Sequence, residues 1–266
     1  MSSRTWTPAA LSSDARALEG ICWRLVEAQH RISTLKLVDS VDEQAVLERL
    51  VDNSKPPLPP ECRELDYLLA TPFRYGAAYP TGSRFRRAGM TAGVFYASEE
   101  PSTAVAEVAF YRLLFFAESP STPWPQNAEQ YTAFSVQYAT KKAIDLTRPK
   151  YTVDRALWMH VTDYQHCQAF ADTARVAKVE IICYASVRDP ARGMNIALLT
   201  CRAFAKRQPG ARRQTWRIQL NDTGAHAICE APKASMTFDR DCFAADPRIA
   251  NLRWERGTGA WPKPMS

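Results

Sequence analysis

Within this 266-residue chain, the residues best suited to chemistry fall between Thr81 and Arg112: Gly82, Arg84, Arg86 and Arg87, then Tyr96, then Glu107. Guanidinium forks match phosphate oxygens two at a time, and a carboxylate near such cations is held ionised. Arginine, aromatic ring and carboxylate on one short stretch therefore suit a phosphorylated, ribose-containing ligand. Each residue also has a plainer use. The arginines can form a solvated loop or a nucleic-acid patch, and a helix glutamate is ordinarily exposed.

The elements that position these residues follow from local pattern. Residues 94–96 form a short β-type run, 98–101 a turn, and 102–116 a helix with Ser102 as N-cap after Pro101, Thr103 being nearly as good. Upstream, 21–26 (ICWRLV) reads as a strand in which Arg24 must be paired, used or turned to solvent. Residues 41–51 have helical apolar spacing, ended by the prolines of 55–60, and 72–80 reads as a loop containing Phe73-Arg74-Tyr75. Downstream, strands are predicted at 131–138, 142–146, 179–184 and 216–220, helices at 154–162 and 164–177, and a returning strand within 195–204. Beyond Asn221 the pattern is irregular. Strands mixed with helices over this length suggest one α/β or α+β domain.

Composition narrows the function classes. Apolar residues make up 46% and charged residues 23%, ordinary values for a globular protein. A net charge of +6 and a pI near 9.0 favour acidic partners without choosing among them. Seven cysteines show no Cys-x-x-Cys, which points to scattered buried thiols in a reducing, cytoplasmic setting. No apolar run is long enough for a membrane span. A P-loop, a dinucleotide Gly-x-Gly-x-x-Gly, a His-Glu-x-x-His and a nucleophile elbow are all absent from the sequence, and His160 and His166, six residues apart, do not share a helical face as metal ligands and read as surface or capping residues.

The order of these pieces resembles the RES domain, a family named for an Arg, a Glu and a Ser. The resemblance rests on Gly82-Ser83-Arg84-Phe85 (Phe85 where the family usually has Trp), Val94-Phe95-Tyr96-Ala97-Ser98, Ala104-Val105-Ala106-Glu107-Val108, Tyr184-Ala185-Ser186-Val187-Arg188 and the following Asn195. Trp23-Arg24 matches a further arginine at the end of the first strand. The stretch between Arg24 and Arg84 is longer than is usual in the family, which leaves Arg24 and Arg74 both open for that role.

The resemblance implies an α/β (α+β) fold similar to ADP-ribosyltransferases, a mixed sheet flanked by helices. It places the domain at 21–220, with an inserted helix and connector at about 41–60, an arm at 1–20 and an extension at 221–266 without an assigned job. It implies NAD as substrate without a metal, with Glu107, Arg84 and Tyr96 catalytic and Arg24, Arg74, Arg84, Tyr96, Ser186 and Asn195 holding NAD. The acceptor of the ADP-ribose (water, phosphate or a protein) stays open. Family members are toxins neutralised by an Xre-type antitoxin, which implies such a partner here. The competing expectation is a non-catalytic basic module that contacts nucleic acid or a partner protein.

Overall fold

A computed structural model describes residues 6–28, 38, 40–77 and 79–259. Thr7 caps the first helix, α1 (Pro8–Asp14), by accepting from the Ala10 amide, and Leu11 anchors it in the core. The strand that follows, β1 (Arg16–Glu27), is longer than the 21–26 read from sequence. Its first half lacks apolar alternation and is carried into the sheet by pairing with a long neighbour, up to Arg16 opposite Ala143.

Helix α2 (Val41–Ser54) matches the predicted 41–51 helix. A 3₁₀ turn (Pro60–Cys62) leads to α3 (Tyr67–Arg74), which takes Pro72 to Arg74 out of the predicted loop. Asp66 caps α3 through the Leu68 amide, and Leu69 and Phe73 bury its inner face. Then come β2 (Phe95–Ser98) and α4 (Pro101–Glu118). Pro101 itself is the first helical residue and Glu100 the cap, two positions earlier than the predicted Ser102.

The short strand β3 (Trp124–Pro125) precedes β4 (Glu129–Asp145), one continuous strand where two were predicted. Helices α5 (Pro149–Thr152) and α6 (Arg155–Trp158) are single turns, so the predicted helix 154–162 is mostly loop. Helix α7 (Gln165–Val176), β5 (Ile181–Ala185), β6 (Met194–Leu198) and β7 (Arg213–Asn221) follow as predicted in type. Past Asn221 the chain is not irregular: β8 (Gly224–Cys229), β9 (Ala234–Asp239) and the one-turn helix α8 (Pro247–Ala250) continue the structure. The inward residues of β8 are Ala225, Ala227 and Cys229, too small to give a clear apolar alternation.

The fold is mixed α/β. Eight strands run in the order β1-β2-β6-β5-β4-β7-β8-β9, and β1 also pairs with β4, which closes β1, β2, β6, β5 and β4 into a ring. Pairings are antiparallel except β4 with β5. Helix α4 buries Val105, Ala109, Phe110 and Leu113 against Trp23, Trp216, Ile218, Ala225 and Phe238, so β7–β9 share its core. Helix α7 packs Phe170, Ala171 and Ala174 against Ile144 and Ile182 on another face.

The expectation of seven free thiols is corrected. The turns at Pro60–Cys62 and Cys201–Ala203 pack together and join Cys62 to Cys201 in a disulfide, Cα atoms 5.8 Å apart. A separation of 139 residues leaves no local signal for such a pair. Among the described residues no helix is long and apolar enough to cross a membrane.

Candidate active site

Helix α4 enters the core directly after β2, so Glu107 arrives beside the ends of the neighbouring strands β5 and β6. There its Oε1 accepts from Ser186 Oγ at 2.7 Å and from Asn195 Nδ2 at 2.6 Å. Both donors are fixed from behind. Ser186 Oγ accepts from the amides of Arg188 (3.1 Å) and Asp189 (2.9 Å), so its proton is directed to Glu107. Asn195 Oδ1 accepts from Ser98 Oγ at 2.6 Å, which orients the amide. Buried polar groups satisfied this fully hold one geometry.

The turn that follows Ser186 is locked as well. Asp189 accepts from Thr103 Oγ1 at 2.8 Å and from the Ala191 and Gly193 amides, tying the β5–β6 connection to the start of α4. A Cβ at Gly193 would lie 2.1 Å from Thr103 Oγ1, so only glycine permits this approach.

Facing Glu107, the loop from Thr81 delivers Arg84. Gly82 (φ +68°) turns the chain where a Cβ would strike the Arg86 carbonyl, and Gln168 Nε2 on α7 donates to the Thr81, Ser83 and Arg86 carbonyls. Tyr96 completes the fixing: its hydroxyl accepts from the Phe85 amide and bonds Ser83 Oγ, both at 2.9 Å. Burial pushes the Tyr96 phenol up to about 12, so it stays protonated.

Arg84 is 7% exposed, donates to the Trp158 carbonyl at 2.6 Å and stacks its guanidinium on the Tyr164 ring. Arg24 donates to the Tyr96 carbonyl at 2.8 Å and lies over the Phe95 ring. Among the described residues neither forms an ion pair with a carboxylate. Burial lowers Arg24 to about 10, still far above neutrality, so it remains a cation. For Arg84 burial acts in the same direction, but the fields of Cys167, Tyr164, Tyr184 and Glu107 outweigh it and hold it charged.

Between these groups opens a cleft of about 470 Å³, within the usual range for small-ligand sites. Arg24, Arg84, Tyr96, Glu107 and Asn195 line it, together with Tyr111, Tyr164, Tyr184, Arg188 and Arg248. Ser186 stands directly behind Glu107. Arg74 does not reach the cleft; its Nε donates to the Pro56 carbonyl. Arg86 and Arg87 also turn away, Arg86 to the carbonyls of Tyr75 and Thr91 and Arg87 to Asp172.

The RES domain matches residues 58–221. The chain belongs to the RES domain family. A solved structure similar to it is the toxin–antitoxin complex MbcT–MbcA of M. tuberculosis, with a TM-score of 0.46 and 13% identity over 80% of this chain and 91% of that one. A search of the curated proteins finds no match. Within the RES segment lie Arg84, Tyr96, Glu107, Ser186 and Asn195; Arg24 precedes it and Arg248 follows it.

Sequence reasoning missed several participants. Ser98 in the predicted turn, Thr103 at the start of the predicted helix and Asp189 past the predicted strand 179–184 were missed because the partners that involve them in the site are distant in sequence. Gln168 was one polar residue of an Ala-, Gln- and His-rich helix. His160 lies in the loop before α7, where its Nδ1 accepts from the Asp163 amide at 2.8 Å. Among the described residues no cluster of His, Cys, Asp and Glu could hold a metal ion.

Proposed function

We propose that this RES protein cleaves the bond between nicotinamide and ribose in NAD⁺. The observation that carries the reading is a carboxylate, Glu107, fixed by neutral donors and facing two guanidiniums, Arg84 buried and Arg24 half-buried, that have no carboxylate of their own. Buried cations without a counter-charge favour an anionic ligand, and a pyrophosphate supplies two negative charges.

Both hydrogen bonds to Glu107 fall on Oε1, so Oε2 is the oxygen available to a ribose hydroxyl. In the reaction the C1′–N bond breaks, its electron pair stays on nitrogen, and nicotinamide leaves neutral. The sugar carbon takes on oxocarbenium character, as in glycoside hydrolysis, and the Glu107 charge stabilises it. An acceptor then gives an electron pair to C1′ and loses its proton. Arg84 and Arg24 hold the pyrophosphate. Tyr96 acts mainly through its backbone and hydroxyl, which position Arg24 and the Arg84 loop, while its ring forms cleft wall. Ser186 and Asn195 aim the carboxylate.

Family membership makes a toxin role with an antitoxin partner the natural biological setting, and the acceptor can be water, phosphate or a protein side chain. A nucleic-acid patch would need its guanidiniums on the surface, whereas Arg84 is buried and Arg86 and Arg87 are bound to neighbours.

The test is to incubate the purified chain with NAD⁺, with and without inorganic phosphate, and to follow nicotinamide release and the ribose product. Release of nicotinamide with ADP-ribose indicates water as acceptor; its phosphorylated form indicates phosphate. Binding of NAD⁺ without release points to a missing protein acceptor. Absence of both binding and release contradicts the proposal.

A further inference from the structure

Helix α8 lies beyond the RES segment, yet it brings a charged group to the cleft wall. Asp246 caps α8 by accepting from the Arg248 amide at 3.0 Å and grips the Arg248 side chain in a fork, Nε to Oδ1 at 3.0 Å and Nη2 to Oδ2 at 2.8 Å. The same Oδ2 also pairs with Arg188 Nη2 at 3.1 Å. Asp246 is fully buried, and Arg188 is 4% exposed, pressed on the Phe110 ring and bonded to the Val161 carbonyl. Arg188 alone would neutralise one buried carboxylate. The second guanidinium is surplus to that need, is 29% exposed, and lines the cleft.

We infer that Arg248 determines ligand specificity in the cleft by taking a phosphoryl oxygen on its Nη1. The fork on Asp246 uses Nε and Nη2 and fixes the guanidinium plane, so Nη1 is pre-oriented and the entropy cost of a further contact is lowered. Tyr79, which also bonds Arg248, is a neutral partner that a phosphoryl oxygen can displace. Charge supports the assignment. The cleft lining holds five arginines (24, 84, 112, 188 and 248) and one carboxylate, Glu107. Adding the supporting Asp246 and Glu129 still leaves two positive charges, with the exposed Glu118 engaged by Tyr79 at the rim. The Asp246 bonds, more than burial opposes them, also hold Arg248 firmly charged.

This inference rests on the NAD⁺ reading, and the phosphoryl group can belong to the dinucleotide or to free phosphate acting as acceptor. The experiment measures kcat and KM for NAD⁺ and for inorganic phosphate in the full-length wild type and in Arg248→Gln, with melting temperatures alongside. Loss of one charge-assisted hydrogen bond predicts a rise of about tenfold or more in one KM, with kcat little changed. A rise for NAD⁺ identifies the dinucleotide phosphate, and a rise for inorganic phosphate alone identifies the acceptor. If Arg248→Gln does not fold, Arg248→Lys keeps a cation beside Asp246 without the fork and must raise the same KM. Unchanged KM values in a folded variant overturn the inference, as does a variant set that only loses stability. If the wild type consumes no NAD⁺, that failure belongs to the functional reading. Arg248 is then tested by calorimetry with inorganic pyrophosphate, where equal affinity of wild type and Arg248→Gln, or no binding by the wild type, overturns it.

Discussion

At one end of the cleft Glu107 is held by neutral donors, Ser186 and Asn195, while at the other Arg84 and Arg24 rest on backbone carbonyls and aromatic faces. Neither end neutralises its own charge. The carboxylate is aimed but not paired, which in the proposed reaction keeps its charge for a cation that develops only at the transition state. The guanidiniums are aimed and not paired either, which keeps theirs for an anion present throughout. Under the proposed reaction the difference implies a division of labour, with the Glu107 end acting on the transition state and the arginine end on binding.

The comparison can be broken by substitution, beginning with the largest effect. Glu107→Gln keeps shape and removes charge, so kcat for NAD⁺ should fall by about 10²–10³-fold or more, read from nicotinamide release. Asp246→Asn withdraws the buried carboxylate beneath Arg188 and Arg248 and should cost about 3–5 kcal/mol of stability, measured by urea unfolding. Burial alone would raise the Asp246 pKa, but its bonds to Arg248 and the charge of Arg188 hold it below the ordinary value of 3.8. Its stabilisation is therefore complete above about pH 4 and lost as pH falls through the lower folded value. The Asn variant should lose that part of the acid dependence.

At the arginine end, Arg84→Ala should weaken NAD⁺ binding by roughly 10–100-fold, the equivalent of about 1.5–3 kcal/mol for charged hydrogen bonds, as calorimetry would record. Ser186→Ala frees Glu107 to move and leaves two amides without an acceptor; kcat should fall about tenfold with smaller change in affinity. The smallest effect is expected from Arg87→Ala, whose ion pair with Asp172 is half-exposed: stability should stay within about 0.5 kcal/mol and turnover near wild type. A large loss there would blur the distinction between inward and outward arginines.

Much of the site was legible because its parts sit at element ends, where type and spacing carry meaning. Gly82 before Arg84, Tyr96 on a short strand and Glu107 in the helix after Pro101 lie within one local sequence. Ser186 and Asn195 were found through resemblance to the RES domain, since their bonds to Glu107 span 79 and 88 residues. The long stretch between Arg24 and Arg84 left Arg24 and Arg74 both open; the pairing of β1 with β2, Trp23 opposite Ser98, carries Arg24 to the cleft. The last two strands, β8 and β9, were missed, β8 because its inward residues are small, and with them Asp246 and Arg248. The Cys62–Cys201 pair is of the same kind, a contact made by tertiary packing between two turns.

The most direct test of the division of labour is to measure both NAD⁺ turnover and NAD⁺ affinity in Glu107→Gln. Turnover should be nearly abolished while calorimetry gives a dissociation constant within about threefold of wild type, because the lost charge acts only in the transition state. Undiminished turnover would contradict the role of Glu107, and affinity lost in step with turnover would contradict the separation of the two ends of the cleft.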